Sequence, residues 1–360
     1  MQQKQATEID RNMKIKTGIE ETDIVFYDAK SDSFDLYGLL WEERFKRIPT
    51  EVAEAASEGV SYMHTSTAGG RLRFVTDSEY VAISCKVDKL MNFSIIPLSG
   101  TCGFSLYADG IFKSGLYPAL GMKDGFESIV HFGDKKMREI MIRFPIYCDV
   151  EELLVGVQED AVIQKAPKYS IQTPVVFYGS SITQGGCMMR PGSEYVSVLS
   201  DWLDFDFINL GFAGAARGEQ IMADYIAGLD MSLFVLDYDH NAPSVEHLQN
   251  THYNFYETVR KAQPLLPILM MSKPDFEGNH TSAARQTNIL RRAVIQSTWE
   301  KARKNGDQNV YFLDGETFFG TKDRDLCTSD LTHPNDLGFY RMAQVIAPTI
   351  EKILANPMEE

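Results

Sequence analysis

The sequence predicts a two-part α/β chain, an antiparallel β-sandwich over residues 1–168 followed by a domain built on a parallel sheet over residues 169–360. Three observations carry that expectation. From about residue 20 to 165 apolar side chains recur with a period of two, as in half-buried strands. From about residue 170 short apolar runs alternate with stretches of helical period, as in βαβ units. Between the two lies the polar segment 165–173, with Pro167 inside it and Pro174 just beyond, which reads as a linker.

Within the first part, Val81, Ile83, Cys85 and Val87 alternate with smaller or polar residues and give a strand one core face. Residues 104–107 and 111–112 flank Asp109-Gly110, a pair that tolerates positive φ and therefore suits a tight hairpin. Residues 140–144 and 153–157 read as further strands, and many short strands divided by turn residues suggest a sandwich. In the second part the apolar runs are residues 175–178, 207–210, 233–238, 268–271 and 310–313, with helices expected over 244–263 and 283–304. An open parallel sheet binds ligands beyond the carboxyl ends of its strands, so the chemistry is expected in the segments that follow these runs.

Composition removes several function classes. With 44% hydrophobic and 24% charged residues in 360, the chain has the makings of an ordinary globular protein. Its 35 basic and 50 acidic residues give a net charge of −15, which repels nucleic-acid backbones and anionic membrane surfaces. Residues 1–16 lack the apolar core of a signal peptide, and no run approaches the roughly 18 apolar residues of a membrane span. Five scattered cysteines without a C-x-x-C pair indicate reduced thiols, and a cytoplasmic protein is expected. No spacing of His and Cys suggests a metal site, and no cofactor is expected.

The first apolar run ends abruptly in Gly179-Ser180-Ser181. A phosphate-binding loop would need a lysine after Gly185-Gly186, and none follows; the glycines at 211, 214 and 218 are not spaced for a dinucleotide. A nucleophile turn is the remaining chemical reading, set against a serine that merely caps the next segment. A nucleophilic serine needs a base, and the base needs an orienting partner. Of seven histidines, His333 stands three residues after Asp330 in a loop before the final helix, where the carboxylate can fix the imidazole tautomer. The competing reading makes Asp330 a helix cap and Pro334 the helix start. Gly214 after the second run and Asn241 after the third can offer a backbone N–H and a side-chain amide to an oxyanion. His240, beside Asn241, is the second candidate base and otherwise a histidine at the site entrance.

Gly-x-Ser, Gly, Asn and Asp-x-x-His in this order resemble the SGNH (GDSL-like) hydrolases, serine esterases and acylhydrolases with a flavodoxin-like sheet. The resemblance covers about residues 170–355 and implies Ser181 as nucleophile, His333 as base and Asp330 as its partner, with Ser181, Gly214 and Asn241 forming the oxyanion hole. Ser180 stands where the family usually has Asp, which makes it a rival nucleophile or a substrate contact; His240 is a second substrate contact. In the first part, Gly103-Phe104-Ser105-Leu106-Tyr107, Phe34-Asp35-Leu36-Tyr37-Gly38 and Arg47-Ile48-Pro49 resemble the GxDLY-type domain, a jelly-roll-like sandwich that precedes some of these hydrolases.

The resemblance implies a small acyl ester as substrate, with acetyl on a sugar or oligosaccharide as the expected case. A glycan-binding protein with a weakened second domain, and an acyltransferase or thioesterase on the same fold, are the alternatives. Tyr27, Tyr37, Trp41 and Tyr62 are candidates for a sugar-stacking platform, with core packing as the competing use. Neither nucleic acid nor membrane is expected as a partner, and a homo-oligomer is compatible with the sequence but not indicated by it.

Overall fold

The computed structural model describes residues 18–274 and 282–355. Residues 1–16, expected to carry no leader, and His280 lie outside the described residues. In chain order the strands of the first part are β1 (Ile24–Asp28), β2 (Asp35–Tyr37), β3 (Leu40–Trp41), β4 (Phe45–Lys46), β5 (Arg71–Thr76), β6 (Tyr80–Leu90), β7 (Phe104–Ala108), β8 (Ile111–Leu116), β9 (Gly125–His131), β10 (Arg138–Arg143), β11 (Cys148–Gln158) and β12 (Ile163–Gln164). One antiparallel sheet has the order β1-β11-β6-β9, the other β12-β5-β10-β7-β8 with β2 also on β5. Val81, Ile83, Leu72, Phe74, Leu106 and Ile142 meet in the core between the sheets, as their alternation requires. Asp109 and Gly110 have φ of 53° and 74°, and Ala108 pairs with Ile111, so the expected two-residue hairpin forms.

The second part contains β13 (Ile171–Gly179), β14 (Phe205–Gly211), β15 (Leu233–Asp237), β16 (Ile268–Met271) and β17 (Val310–Leu313), all parallel, in the order β14-β13-β15-β16-β17. This is the flavodoxin-like order, whose switch point lies beside the first strand, here β13. The helices are α1 (Thr50–Ala56), α2 (Glu58–Met63), α3 (Leu98–Thr101), α4 (Ser181–Gln184), α5 (Tyr195–Leu203), α6 (Gln220–Ala227), α7 (Val245–Ala262), α8 (Ser282–Lys304) and α9 (Asp336–Leu354). Leu199 of α5 and Phe339, Met342 and Ile346 of α9 cover one face of the sheet. Met222 and Ile226 of α6, Phe255 of α7 and Ile295 of α8 cover the other. Among the described residues no helix is long and apolar enough to cross a membrane.

Two expectations need correction. The polar segment 165–173 is not all linker, because β13 begins at Ile171. Its pairing breaks between Ile171 and Val175, where Pro174 supplies no N–H to the ladder. The first part is also not strand throughout: Val52, Ala53, Ala56, Val60 and Met63 lie at helical spacing on α1 and α2, and they pack into the core of the second part beside Tyr178 and Met222.

Three fully buried arginines bind the two parts together. Arg47 donates to the carbonyls of Asn209 and Gly211 on β14 and to that of Met63. Arg71 on β5 pairs with Asp206 and stacks on the Phe207 ring at 3.7 Å. Arg143 on β10 pairs with Asp201 and donates to Ser197 Oγ at 2.6 Å. Each positions an element that carries or supports the site.

Candidate active site

β13 stops at Gly179 because the backbone must pass tightly under the following turn. A Cβ there would meet Thr183 Oγ1 at 2.0 Å and the Asp237 carbonyl at 2.5 Å. Ser180 then caps the short helix α4, its Oγ accepting from Ile182 N at 3.1 Å. Ser180 is 2% exposed and does not line the pocket. Ser181, one residue on, does line the pocket.

Ser181 Oγ lies 2.9 Å from His333 Nε2 although 152 residues separate them. His333 Nδ1 lies 2.7 Å from Asp330 Oδ2. The loop enforces that pair: Asp330 Oδ1 accepts from His333 N at 2.7 Å and from Thr332 N at 3.1 Å, with Leu331 held at φ 67°. The helix cap is Asn335, which accepts from Gly338 N, so neither Asp330 nor Pro334 starts α9. Burial is the largest single influence on the Asp330 carboxyl and would raise it. The hydrogen bonds from the backbone and ring of His333, with the ring's charge, outweigh burial and hold it below the ordinary carboxylate range. The stabilisation Asp330 contributes is therefore present above the ordinary carboxylate pKa and lost as pH falls through its lowered value.

Gly214 and Asn241 line the same pocket. Gly214 sits at φ 67°, a conformation open to glycine at little cost. Asn241 spends one amide hydrogen on the Phe212 carbonyl at 2.9 Å, and its second amide hydrogen is left for the pocket. His240 lines the pocket with its ring centroid 6.5 Å from that of His333. Cys187 lines the wall, and burial and the Asp330 charge push its thiol up to about 11, so it stays protonated.

The sandwich supplies the remaining wall through Phe93, Ile95, Ile96 and Tyr147. The four aromatic residues weighed as a stacking platform or as core lie away from the pocket. Tyr37 packs edge-on to Tyr169, Trp41 to Phe45, Tyr62 lies under Lys89, and none of these, nor Tyr27, lines the pocket.

Two groups that sequence reasoning missed hold the site from behind. Asp237 Oδ2 accepts from Thr183 Oγ1 and Tyr195 OH, both at 3.0 Å, and burial together with the neighbouring Asp239 raises its carboxyl well above the ordinary range. Gln184 is fully buried: its Oε1 accepts from Ala213 N and its Nε2 donates to the Ile146 carbonyl, both at 2.9 Å. One amide thus joins the serine turn, the Gly214 loop and the segment carrying Tyr147. Gln184→Ala is expected to lower the turnover this site supports about tenfold to a hundredfold while Gln184→Glu retains more of it, because misplacing positioned groups by about 1 Å costs on that order. Equal kcat in wild type and Gln184→Ala would remove that role.

The flavodoxin-like sheet thus brings a hydroxyl, an imidazole and a carboxylate together at its switch point. Residues 172–351, half of the chain, match the GDSL-like lipase/acylhydrolase family, and the chain belongs to that family. Residues 24–163 match GxDLY, the N-terminus of SGNH hydrolase-type esterases. Among solved structures, a GDSL-like lipase from Bacteroides ovatus is 29% identical, with 92% of this chain and 98% of that chain covered and a TM-score of 0.83. The salicylyl-acyltransferase SsfX3 from a tetracycline biosynthetic pathway is 20% identical over 94% of this chain and 100% of that one, with a TM-score of 0.78. An acetyl xylan esterase from the rumen bacterium Butyrivibrio proteoclasticus shares the fold at 13% identity, 93% and 99% coverage and a TM-score of 0.57. A search of curated proteins gave no match.

Proposed function

We propose that the chain is a serine esterase acting through Ser181, His333 and Asp330. His333 Nε2 takes the Ser181 proton as Oγ attacks the ester carbonyl, and the resulting oxyanion rests on the N–H groups of Ser181 and Gly214 and the amide of Asn241. The C–O bond to the alcohol breaks as His333 returns the proton to the leaving oxygen. Water, deprotonated by the same imidazole, then cleaves the acyl-enzyme. The observation that carries this reading is the continuous contact from Ser181 Oγ to His333 and on to Asp330, opening into a pocket that also holds Gly214 and Asn241.

A small acyl ester such as an acetate suits this mechanism, and the acetyl xylan esterase among the structural neighbours supports a sugar hydroxyl as the alcohol. The salicylyl-acyltransferase neighbour favours a second reading, in which an acceptor hydroxyl replaces water in the last step. The five free, buried cysteines support placement in the reducing cytoplasm.

The test is covalent labelling with a p-nitrophenyl alkylphosphonate followed by peptide mass analysis. The adduct is expected on Ser181 with release of one nitrophenol, to be absent from Ser181→Ala and to form much more slowly in His333→Ala. An adduct elsewhere, or none at all, would remove the nucleophile assignment.

A further inference from the structure

The wall that the sandwich contributes to the pocket is chemically unlike the rest of it. Phe93, Ile95 and Ile96 come from the stretch between β6 and α3, and Tyr147 from the turn before β11. Phe93 and Tyr147 lie 4.7 Å apart between ring centroids at 55°. Cys187 and Ala213 extend the apolar lining on the side of the parallel sheet. The polar groups of the cavity, Ser181, His333, Asn241 and His240, gather where the ester carbonyl and its leaving oxygen must sit.

The cavity measures about 390 Å³. An acetyl methyl needs only a small part of that space and would leave the apolar wall in contact with water. Phe93 and Ile95 are 39% and 46% exposed, a large apolar exposure for two residues so close in sequence at the rim of a reaction site. A sugar ring against this wall would lose water from its hydroxyls without gaining hydrogen-bonding side chains in return, a net cost. Tyr147 is 1% exposed and already packed against Phe93, so it offers no open ring face for sugar stacking. The wall therefore suits a carbon surface. The alcohol must depart once His333 has protonated it, whereas the acyl group stays on Ser181 through the second half of the cycle. The group that remains gains most from a fixed apolar wall.

We propose that this wall is an acyl pocket selecting an apolar acyl group larger than acetyl, of benzoyl or branched-chain size. The inference rests on the serine-esterase reading of the same site, and it assigns the sandwich a direct part in substrate choice. Phe93 and Ile95 become specificity-determining residues because they are exposed in the free protein and covered only by such an acyl group.

Binding and turnover are measured separately. Calorimetric titration of ethyl acetate, ethyl benzoate and benzyl acetate into Ser181→Ala, which cannot form an acyl-enzyme, should show ethyl benzoate bound at least about tenfold more tightly than ethyl acetate, the effect of burying one further ring partly in an apolar site. The gap should close in Ser181→Ala/Phe93→Ser/Ile95→Ser. Equal affinities for ethyl benzoate and ethyl acetate would overturn the pocket whether or not the wild type is an esterase. A gain by benzyl acetate as large as that by ethyl benzoate would assign the wall to the alcohol and overturn the acyl assignment. In turnover, p-nitrophenyl benzoate over acetate, each rate divided by its alkaline hydrolysis rate, should favour benzoate in the wild type, and that ratio should fall at least about tenfold in Phe93→Ser/Ile95→Ser. Acetate turnover with an unmoved ratio would sink the acyl pocket alone; benzoate binding without any turnover would sink the esterase reading alone.

Discussion

Ser181→Ala and His333→Ala are each expected to lower kcat for p-nitrophenyl ester hydrolysis by at least about a thousandfold, with KM changed only a few-fold. The reason is that the two side chains act as one unit: Oγ without a base is a weak nucleophile, and the base without Oγ has nothing to deprotonate. Their 2.9 Å contact makes the double variant no worse than the more damaged single one, the non-additivity expected of one mechanism. Ser180→Ala is the control. Its hydroxyl faces Ile182 N, so the substitution should retain kcat within a few-fold and cost about 1 kcal/mol of stability through the lost cap. Substantial turnover by Ser181→Ala, or a loss in Ser180→Ala as large as in Ser181→Ala, would reverse the assignment of the two serines.

Asp206→Ala is expected to be the more damaging half of the Arg71–Asp206 pair. Arg71 is fully buried and carries its charge whether or not the carboxylate is present, so removing Asp206 strands a cation between the two parts of the chain at a cost of about 3–5 kcal/mol. The Phe207 and Gly69 carbonyls and Tyr169 OH still engage the guanidinium, but none of them is a carboxylate that could balance it. Arg71→Met should cost less, because a methionine stem can occupy much of the same apolar channel over Phe207, and Asp206, whose carboxyl burial already raises, can take up a proton. The urea midpoint, with the slope checked for a change in cooperativity, measures both. Asp206→Ala within about 1 kcal/mol of wild type, or less damaging than Arg71→Met, would refute this account. Because Asp206 stands on β14, which leads into the Gly214 loop, a rise in KM should accompany the loss of stability.

The parts of this protein that were legible in the sequence are the local ones. An apolar run ending in Gly179-Ser180-Ser181 marks a strand end and a turn, and Asp330 and His333 are close enough in the chain to face each other across a tight turn. The alternation of short runs and helical stretches was enough for a parallel sheet, and a parallel sheet carries its strand ends, with Ser181, Gly214 and Asn241, to one edge. The preference for Ser181 over Ser180 rested on the order of motifs; that the Ser180 hydroxyl caps α4 is a matter of backbone geometry no spacing reveals.

What sequence periodicity misjudged lies where the two parts meet. In β5 the arginines Arg71 and Arg73 alternate with Leu72 and Phe74, the usual sign of a solvent-facing side, yet both arginines are buried because that face of the sheet packs on the second part. Gln184 reads as an ordinary polar residue until Ala213 and Ile146 are brought to either end of its amide. Phe93 and Ile95 carry no periodic signal of their own and stand at the rim of the pocket, more than 80 residues before the serine in it. A period reports which side of an element is covered only when water is the alternative. Where another part of the same chain takes the place of water, the covering surface is chosen by long-range packing, and with it the wall of the site.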